Sequence, residues 1–459
     1  MRSFLVQPAS SLRGEISLSG DKSIAHRCII LGAISQGRTT IENFPTNRDS
    51  FYTLSAFQEL GIKIIDKPRG QGKASVTIFG KGLFGLRKPK SPIFVGDSGT
   101  TLRLILGVLA GQSFKTRLVA GKSLSLRPMH RVTKPLRMMG AEINSKCLPV
   151  ARLPDGQGQT GKIKNAKLEE YSPLSIRGGN LKSITYRMPV ASAQVKSAIL
   201  LAGLYVKGKT QIIEPIKTRD HTERILNLFR ANIKLQHNKI VIKGIKELTS
   251  PKKIYIPGDI SSASFFIVLA ILLLDSQLLI KNVSLNPSRM GITKVLKRMG
   301  AKIKIQTTKV RMKKYEPMGD ILVKNSLLKG TVVKKEEVPL LIDELPVLMV
   351  AASQARGITV FEGVEELRVK ETDRIKSMFK NLKKMGAKVK VVQSDKSEKI
   401  VIQGVKGLRG SRVRSFGDHR TAMSMVVAGL AAKGNTRIDD VSCIDKSFPD
   451  FLSILKKLI

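Results

Sequence analysis

The sequence predicts a two-lobed α/β protein in which one unit, strand–helix–strand–helix–strand–strand, recurs six times, three per lobe. Three observations carry this expectation. An apolar helix-plus-strand pattern repeats six times, an amphipathic helix-plus-strand pattern alternates with it, and the chain is 459 residues long. Single hydrophobic cores stop growing below that length, which favours two.

The first pattern is an apolar stretch, a small turn and a β-branched strand. Its copies are IILGAISQGRTTIENF, LGVLAGQSFKTRLVAG, LLAGLYVKGKTQIIEP, LAILLLDSQLLIKNV, LMVAASQARGITVFEGV and VAGLAAKGNTRIDDV. Their turns fall near Gly37, Gln112, Gly208, Ser276, Gly357 and Gly434, a period of roughly 70 to 95 residues that indicates folded subunits rather than a solenoid. Helices apolar all round belong inside a core. The second pattern, LSAFQELGIKI, LRMMGAEI, ILNLFRANIKL, LKRMGAKIKI and LKKMGAKVKV, reads as an amphipathic helix ending at Gly or Ala before an alternating strand. Buried helices laid parallel would bring their N-termini together, where unpaired N–H groups and the helix dipole favour anions.

Composition narrows the function classes. The chain is 42% apolar and 25% charged, with a net charge of +45. Such a field attracts nucleic acid, acidic membranes or phosphorylated metabolites. Six Tyr and no Trp argue against stacking on single-stranded nucleic acid. Three cysteines (Cys28, Cys147, Cys443) without a CxxC pair indicate a reducing compartment, no disulfide framework and no zinc cage. The start, MRSFLVQPASSLRGEI, lacks the apolar core of a signal peptide, and ASFFIVLAILLL (263–274) is too short to span a bilayer and reads as a buried helix. A cytoplasmic location is expected.

Common signatures fail. GKGLFG (80–85) and GQGQTG (156–161) match GxGxxG, but no apolar helix follows either, so both read as surface turns. No Walker A, HExxH or GxSxG sequence occurs, and five scattered histidines form no metal constellation. What remains is a set of polar islands, most of them beside an apolar helix.

GDKSIAHR (20–27) crowds Lys22, His26 and Arg27 into six positions; alone it reads as a solvated turn. VGDSGTTLR sets Asp97, Ser98, Gly99, Thr100, Thr101 and Arg103 at a helix start, with Asp or Ser as cap and a glycine that admits a ligand to backbone N–H groups. SLRPMHRV holds Arg127. PVASAQVKSA places Ser192, Gln194 and Lys196 ahead of a buried helix, and PIKTRDHTERIL does the same with Arg219, Asp220 and His221. VPLLIDELPVL puts Asp343 and Glu344 in an apolar stretch, where a carboxylate must be paired or protonated, and so marks Asp343 as a tuned base. ELRVKETDRI packs Arg368, Lys370, Glu371, Asp373 and Arg374 together; a helix there would set Lys370 and Arg374 four apart on one face. FGDHRTAMS adds His419 and Arg420, and IDKSFPDF adds Lys446. Each island alone reads as a cap or surface pair; six at corresponding edges of repeated units read as one site.

From about residue 7 to 455, in order and with compatible spacing, GDKSxxHR, DSGTTLR, RPMxRV, PVASAQVKSAxLLAGL, RDHTER, PGDISSASFF, IDELPVL, LRVKETDR, DHRTAMSMVVAGL and KSFPDF resemble the 5-enolpyruvylshikimate-3-phosphate synthase family of enolpyruvyl transferases. The resemblance implies two lobes of three βαβαββ units with buried parallel helices (an inverted α/β barrel), closing on an interlobe active-site cleft. It implies two crossings between lobes, dividing the chain into 21–256 and a discontinuous lobe of 1–20 plus 257–459. The implied reaction moves the enolpyruvyl group of phosphoenolpyruvate to the 5-hydroxyl of shikimate 3-phosphate through a tetrahedral intermediate. Side-by-side anionic substrates demand many Lys and Arg.

Position by position, the resemblance implies that Lys22 bridges both substrates. Ser23, Arg27, Ser192, Ala193, Gln194, Arg219, Asp343 and Lys370 would hold shikimate 3-phosphate. Gly99, Arg127, Gln194, Arg374, Arg420 and Lys446 would hold phosphoenolpyruvate. Asp343 would accept the 5-hydroxyl proton and Glu371 would move the proton at the methylene carbon, with Lys22 completing the catalytic set and His419 beside the pocket. No cofactor, metal, nucleic acid or membrane is implied, and a monomer is expected. Three positions depart from the family pattern: Asp97 stands where Asn is usual, Ala25 where Ser is common, and Gly99 where the glyphosate-insensitive branch often has Ala. The alternatives are a related transferase acting on a UDP-sugar, which usually carries a reactive Cys in a loop that the context of Cys147 here, INSKCLPVAR, does not match, and a nucleic-acid-binding protein using the +45 charge.

Overall fold

The computed structural model describes residues 3–70, 72–149, 168–308, 315–393 and 397–459, and the GQGQTG sequence, expected to be a surface turn, lies outside them. Twelve α-helices occur among the described residues, in six successive pairs. These are α1 (Lys22–Ala33) and α2 (Arg48–Glu59), α3 (Gly99–Leu109) and α4 (His130–Met138), α5 (Ala193–Gly203) and α6 (His221–Leu228), α7 (Ile260–Leu272) and α8 (Gly291–Arg298), α9 (Leu345–Ser353) and α10 (Arg374–Lys384), α11 (His419–Leu430) and α12 (Phe451–Lys456). The odd-numbered helices are the apolar repeats and lie inside. All twelve residues of α11 and eleven of the thirteen of α7 are buried. The even-numbered helices bury one face: α10 buries Ile375, Met378 and Leu382 and turns Lys380, Lys383 and Lys384 to solvent, the i, i+3, i+7 spacing of a one-sided helix.

Each pair packs under a small sheet, five four-stranded and one three-stranded. In the unit holding α3 and α4, Ile93–Phe94 runs parallel to Lys115–Val119. Lys115–Val119 pairs antiparallel with Leu168–Arg177, which pairs antiparallel with Glu142–Pro149. The parallel pair is joined through the inner helix, as a parallel connection requires a crossover. This is the expected strand–helix–strand–helix–strand–strand unit. The six sheets stay separate and none closes into a barrel.

The units share strands across the chain. The unit of α1 takes Lys253–Tyr255 as its first strand, parallel to Gln36–Pro45. The unit of α7 takes Arg13–Ser17, parallel to Gln277–Ser284. The unit of α11 takes Phe4–Val6, antiparallel to Thr436–Ile438. No strand follows α12, which is why the amphipathic pattern has five copies and the apolar one six.

Two cores result. One joins Val6, Leu12 and Leu18 to apolar residues from Ile260 to Leu458; the other runs from Ile24 to Ile256 and adds Tyr315. α7, α9 and α11 pack on one another in the first, and α3 packs against α1 and α5 in the second. The chain passes between the cores in two adjacent segments that pair at Gly20 and Gly258. Asn43 Nδ2 donates to Ile256 O at 2.8 Å and to Leu18 O at 3.4 Å, tying both segments together. A side chain at position 20 would lie 2.2 Å from Asn43 O, so the glycine of GDKS is a packing requirement.

Helices α3 and α5 pack tightly at Gly107, where a Cβ would fall 2.3 Å from Ala198 O. Gly107→Ala is therefore expected to lower stability by about 1–3 kcal/mol, read as a lower urea midpoint. An unchanged midpoint would show that the two helices separate freely.

Candidate active site

All six inner helices start at one cleft of about 590 Å³ between the two cores. Its walls include Lys22 and Ser23 of α1, Gly99 and Thr100 of α3, Ala193 and Gln194 of α5, Ser261 of α7, Asp343 just before α9, and His419 and Arg420 of α11. Five of these starts are capped by a side chain: Asp21, Ser98, Ser192, Asp259 and Asp418 each accept a hydrogen bond from the first turn. Capping leaves other N–H groups and the positive ends of the dipoles, each worth roughly half a charge, directed at the cleft.

The structure brings the residues singled out in the sequence together. Lys22, Ser23, Arg27, Gly99, Arg127, Ser192, Ala193, Gln194, Arg219, Asp343, Lys370, Glu371, His419 and Arg420 line the cleft. Lys22 Nζ lies 2.9 Å from Asp49 Oδ2 and 3.1 Å from Ser447 Oγ. Arg27 is pinned by Thr222 Oγ1 (2.6 Å), Ser197 Oγ (2.9 Å) and Ser23 O (2.8 Å), and burial brings its guanidinium down to about 10. Gln194 accepts from Arg103 Nη1 at 2.8 Å and donates to Thr100 Oγ1 at 3.1 Å. Arg374 is buried behind the wall, and Lys446 stands at the rim, 40% exposed.

Carboxylates and guanidiniums form one network here. Asp343 lies 2.5 Å from Arg219 Nη2, 3.3 Å from Arg374 Nη1 and 3.6 Å from Arg420 Nε, while its carbonyl accepts from Arg420 Nη1 at 2.8 Å. Glu371 lies 2.5 Å from Arg374 Nη2 and 3.7 Å from Arg127 Nη1. Burial opposes ionisation of Asp343, yet Arg420, Arg219 and Arg374 outweigh it and hold the carboxyl well below the usual range. Arg374 and Arg127 do the same against burial for Glu371. The apolar stretch around Asp343 is thus answered by pairing. Burial lowers the Lys370 amine to about 8 despite the attraction of Asp343 and Glu366. Burial and the charge of Lys22 keep His419 well below its ordinary value, so its ring is neutral.

Asp97 is not a bare charge. Ser98 takes the cap of α3, and the Asp97 carboxylate accepts from Ser123 N and Leu124 N, both at 3.0 Å, with Lys446 Nζ 3.7 Å away. At Gly99 the backbone comes close to the cationic wall: a Cβ there would lie 2.9 Å from Arg103 Nη1 and 3.2 Å from Arg127 Nη1.

Several sequence expectations need correction. Lys370 and Arg374 do not share a helix face, because Asp373 caps α10 and leaves Lys370 in the preceding turn. PIKTRDHTERIL precedes the outer helix α6, not an inner one. Lys196 lies outside the cleft wall, buried between Glu214 (3.1 Å) and Glu223 (2.6 Å) behind Arg27. Arg368 is engaged by Glu398 and Asp373. His26, 2.6 Å from Thr53 Oγ1, belongs to the core. Site residues missed include Asp418, Asp49, Asp259 and Arg289, the last three of which line the cleft. Asp418 caps α11 and binds Arg374 Nε at 2.9 Å; its place directly before His419 was the available signal. Asp49, the partner of Lys22, carries no signal in the sequence.

Comparison with known proteins gives one answer throughout. The family model described as EPSP synthase (3-phosphoshikimate 1-carboxyvinyltransferase) matches residues 6–455. A 3-phosphoshikimate 1-carboxyvinyltransferase of Desulforamulus reducens is 43% identical over 455 residues, covering 99% of each chain. One of Geotalea uraniireducens is 45% identical over 459 residues, covering all of both. The EPSP synthase structure from Acinetobacter baumannii superposes with a TM-score of 0.83 at 38% identity, covering 100% of this chain and 98% of that one. The enolpyruvyl transferase NikO from Streptomyces tendae shares the fold, with a TM-score of 0.74 at 16% identity and coverage of 99% and 97%.

The ion pairs at Asp343 yield a measurement. Asp343→Ala removes a carboxylate that faces three arginines, so inorganic phosphate is expected to raise the thermal midpoint of the variant by more than that of the wild type. Equal shifts would mean that Asp343 does not serve as their counter-charge.

Proposed function

Because the chain belongs to the EPSP synthase family, we propose that its cleft holds shikimate 3-phosphate and phosphoenolpyruvate side by side, with the residue roles set out below. The enzyme transfers the enolpyruvyl group of phosphoenolpyruvate to the 5-hydroxyl of shikimate 3-phosphate and releases phosphate. The match over residues 6–455 sets aside the UDP-sugar transferase and nucleic-acid-binding readings. The observation that carries the residue assignment is the meeting of six helix N-termini with Lys22, Arg127, Arg219 and Arg420 on one cleft.

In this reading Ser23, Arg27, Ser192, Ala193, Gln194, Arg219 and Lys370 bind shikimate 3-phosphate. Gly99, Arg127, Gln194, Arg374, Arg420 and Lys446 bind phosphoenolpyruvate, and Lys22 touches both. Asp343 takes the proton from the 5-hydroxyl as its oxygen attacks C2. Glu371 delivers a proton to the methylene carbon and takes one back when phosphate leaves. A carboxyl held ionised by Arg374 and Arg127 has no proton to give. Substrate carboxylate and phosphate reaching the same arginines add negative charge around Glu371 and Asp343 and raise both pKa values toward the working range. The arginines that suppress the acid and base are thus the ones the substrates engage. The same reading divides the chain into 21–256 and 1–20 plus 257–459, and places it in the cytoplasm as a monomer.

Mixing the protein with both substrates and following phosphate release tests the function; no release by the wild type would refute it. Asp343→Ala is expected to lose about 100- to 10,000-fold in turnover while still binding shikimate 3-phosphate, and unchanged turnover would remove Asp343 as the base. The Lys370 amine, at about 8, gives a second expectation. Its charge, and with it the attraction for an anionic substrate, disappears as pH rises, so kcat/KM should fall above about pH 8. Lys370→Arg should move that fall to higher pH; a profile that does not move would assign the limb to another group.

A further inference from the structure

Arg289 lies in the sequence NPSRMG, just before α8, and is 1% exposed. Its Nη1 is 3.2 Å from Asp21 Oδ2, and its Nη2 donates to Ser261 Oγ and lies 3.5 Å from both Asp259 Oδ1 and Glu344 Oε1. Ser261 in turn donates to Glu344. One guanidinium therefore joins the N-cap carboxylates of α1 and α7 and the residue that begins α9.

The positions of these partners matter more than their number. Asp21 directly precedes Lys22, and Glu344 directly follows Asp343. Asp21 and Asp259 also sit on the two segments that cross between the cores: Asp21 N donates to Pro257 O at 2.8 Å and Asp259 N to Ser19 O at 3.2 Å. Arg289 itself is clamped from behind. Its N–H donates to Asn286 O at 2.8 Å, and Asn286 Nδ2 reaches Asp220 Oδ1 (2.8 Å) and Glu316 Oε2 (2.7 Å). Asp220 directly precedes α6, which packs in the other core.

We infer that Arg289 is a positioning residue for the transfer reaction, holding Asp21, Asp259 and Glu344 in one buried cluster and thereby fixing Lys22 and Asp343 across the cleft. Stability alone is a poor reason for such a cluster, since one cation against three carboxylates leaves desolvation cost unrepaid and apolar packing serves a fold better. A planar fork of donors is suited to hold several carboxylates in fixed directions, which an ammonium point charge does less well. Displacing a catalytic group by even 1 Å costs on the order of 100-fold in rate.

The inference rests on the residue roles proposed above, and the test uses the full chain as wild type, Arg289→Met and Arg289→Lys. Binding sites are counted by titration with shikimate 3-phosphate, and kcat is expressed per site. Arg289→Met is expected to lose about tenfold or more in kcat, with the Kd for shikimate 3-phosphate and the KM for phosphoenolpyruvate within about threefold of wild type, and Arg289→Lys to fall between the two. A kcat per site within about threefold of wild type in Arg289→Met would overturn the inference, as would a loss that only mirrors lost binding sites. Should Arg289→Met not fold, Arg289→Lys decides: kcat per site below wild type supports the role, and kcat equal to wild type overturns it. An inactive wild type would count against the proposed function instead.

Discussion

Positive charge gathered in one place is the constraint around which this molecule is organised. Six helix starts and at least six cationic side chains face a single cleft, and like charges at that density repel unless counter-charge is built in. The chain supplies it as carboxylates set against the cations: Asp343 and Glu371 among the arginines, Asp49 beside Lys22, Asp97 near Lys446, and Asp418 behind Arg374. The network keeps the cationic wall in place and leaves counter-charge that an arriving anion can displace.

The repeated unit explains how the charge is brought there. An inner helix that is apolar all round can only be buried, and three such helices per core share a common direction with their N-termini at one end. Charged residues gather at that end, so GDKSIAHR, VGDSGTTLR, PVASAQVKSA and FGDHRTAMS each lead into an apolar run, while RPMHRV, RDHTER and KETDR lead into the outer helices α4, α6 and α10. The two cores are then joined at Gly20 and Gly258, and at Gly20 the backbones touch too closely for a side chain. Lys22, Asp259 and their neighbours sit at this seam, so the joint between cores and the floor of the cleft are built from the same few residues.

The large net charge has a plainer distribution. Many lysines lie on the outer faces of the sheets, as Lys209, Lys234, Lys239 and Lys243 do on one of them. They are spread over the surface, whereas the cleft depends on arginines held in fixed directions by carboxylates. Overall charge was therefore a weaker guide to function than the placement of a few cations beside apolar helices.

Periodicity was enough to establish the six units, the inner and outer helices and the edges where polar residues gather, because burial of an apolar helix is dictated by its own side chains. Motif order was enough to mark Lys22, Arg127, Asp343 and Arg420 as members of one site. Pairing between distant residues was not legible. That Asp343 is ionised among three arginines, that Asp97 is engaged by backbone N–H groups, that His26 and Lys196 turn inward, and that Asp49 and Arg289 belong to the cleft all depend on contacts across tens to hundreds of positions. The sequence determined which helices must be buried and which residues stand at their ends. Only the tertiary structure decided which charges meet, because an ion pair depends on distance in space, and distance along the chain says nothing about it.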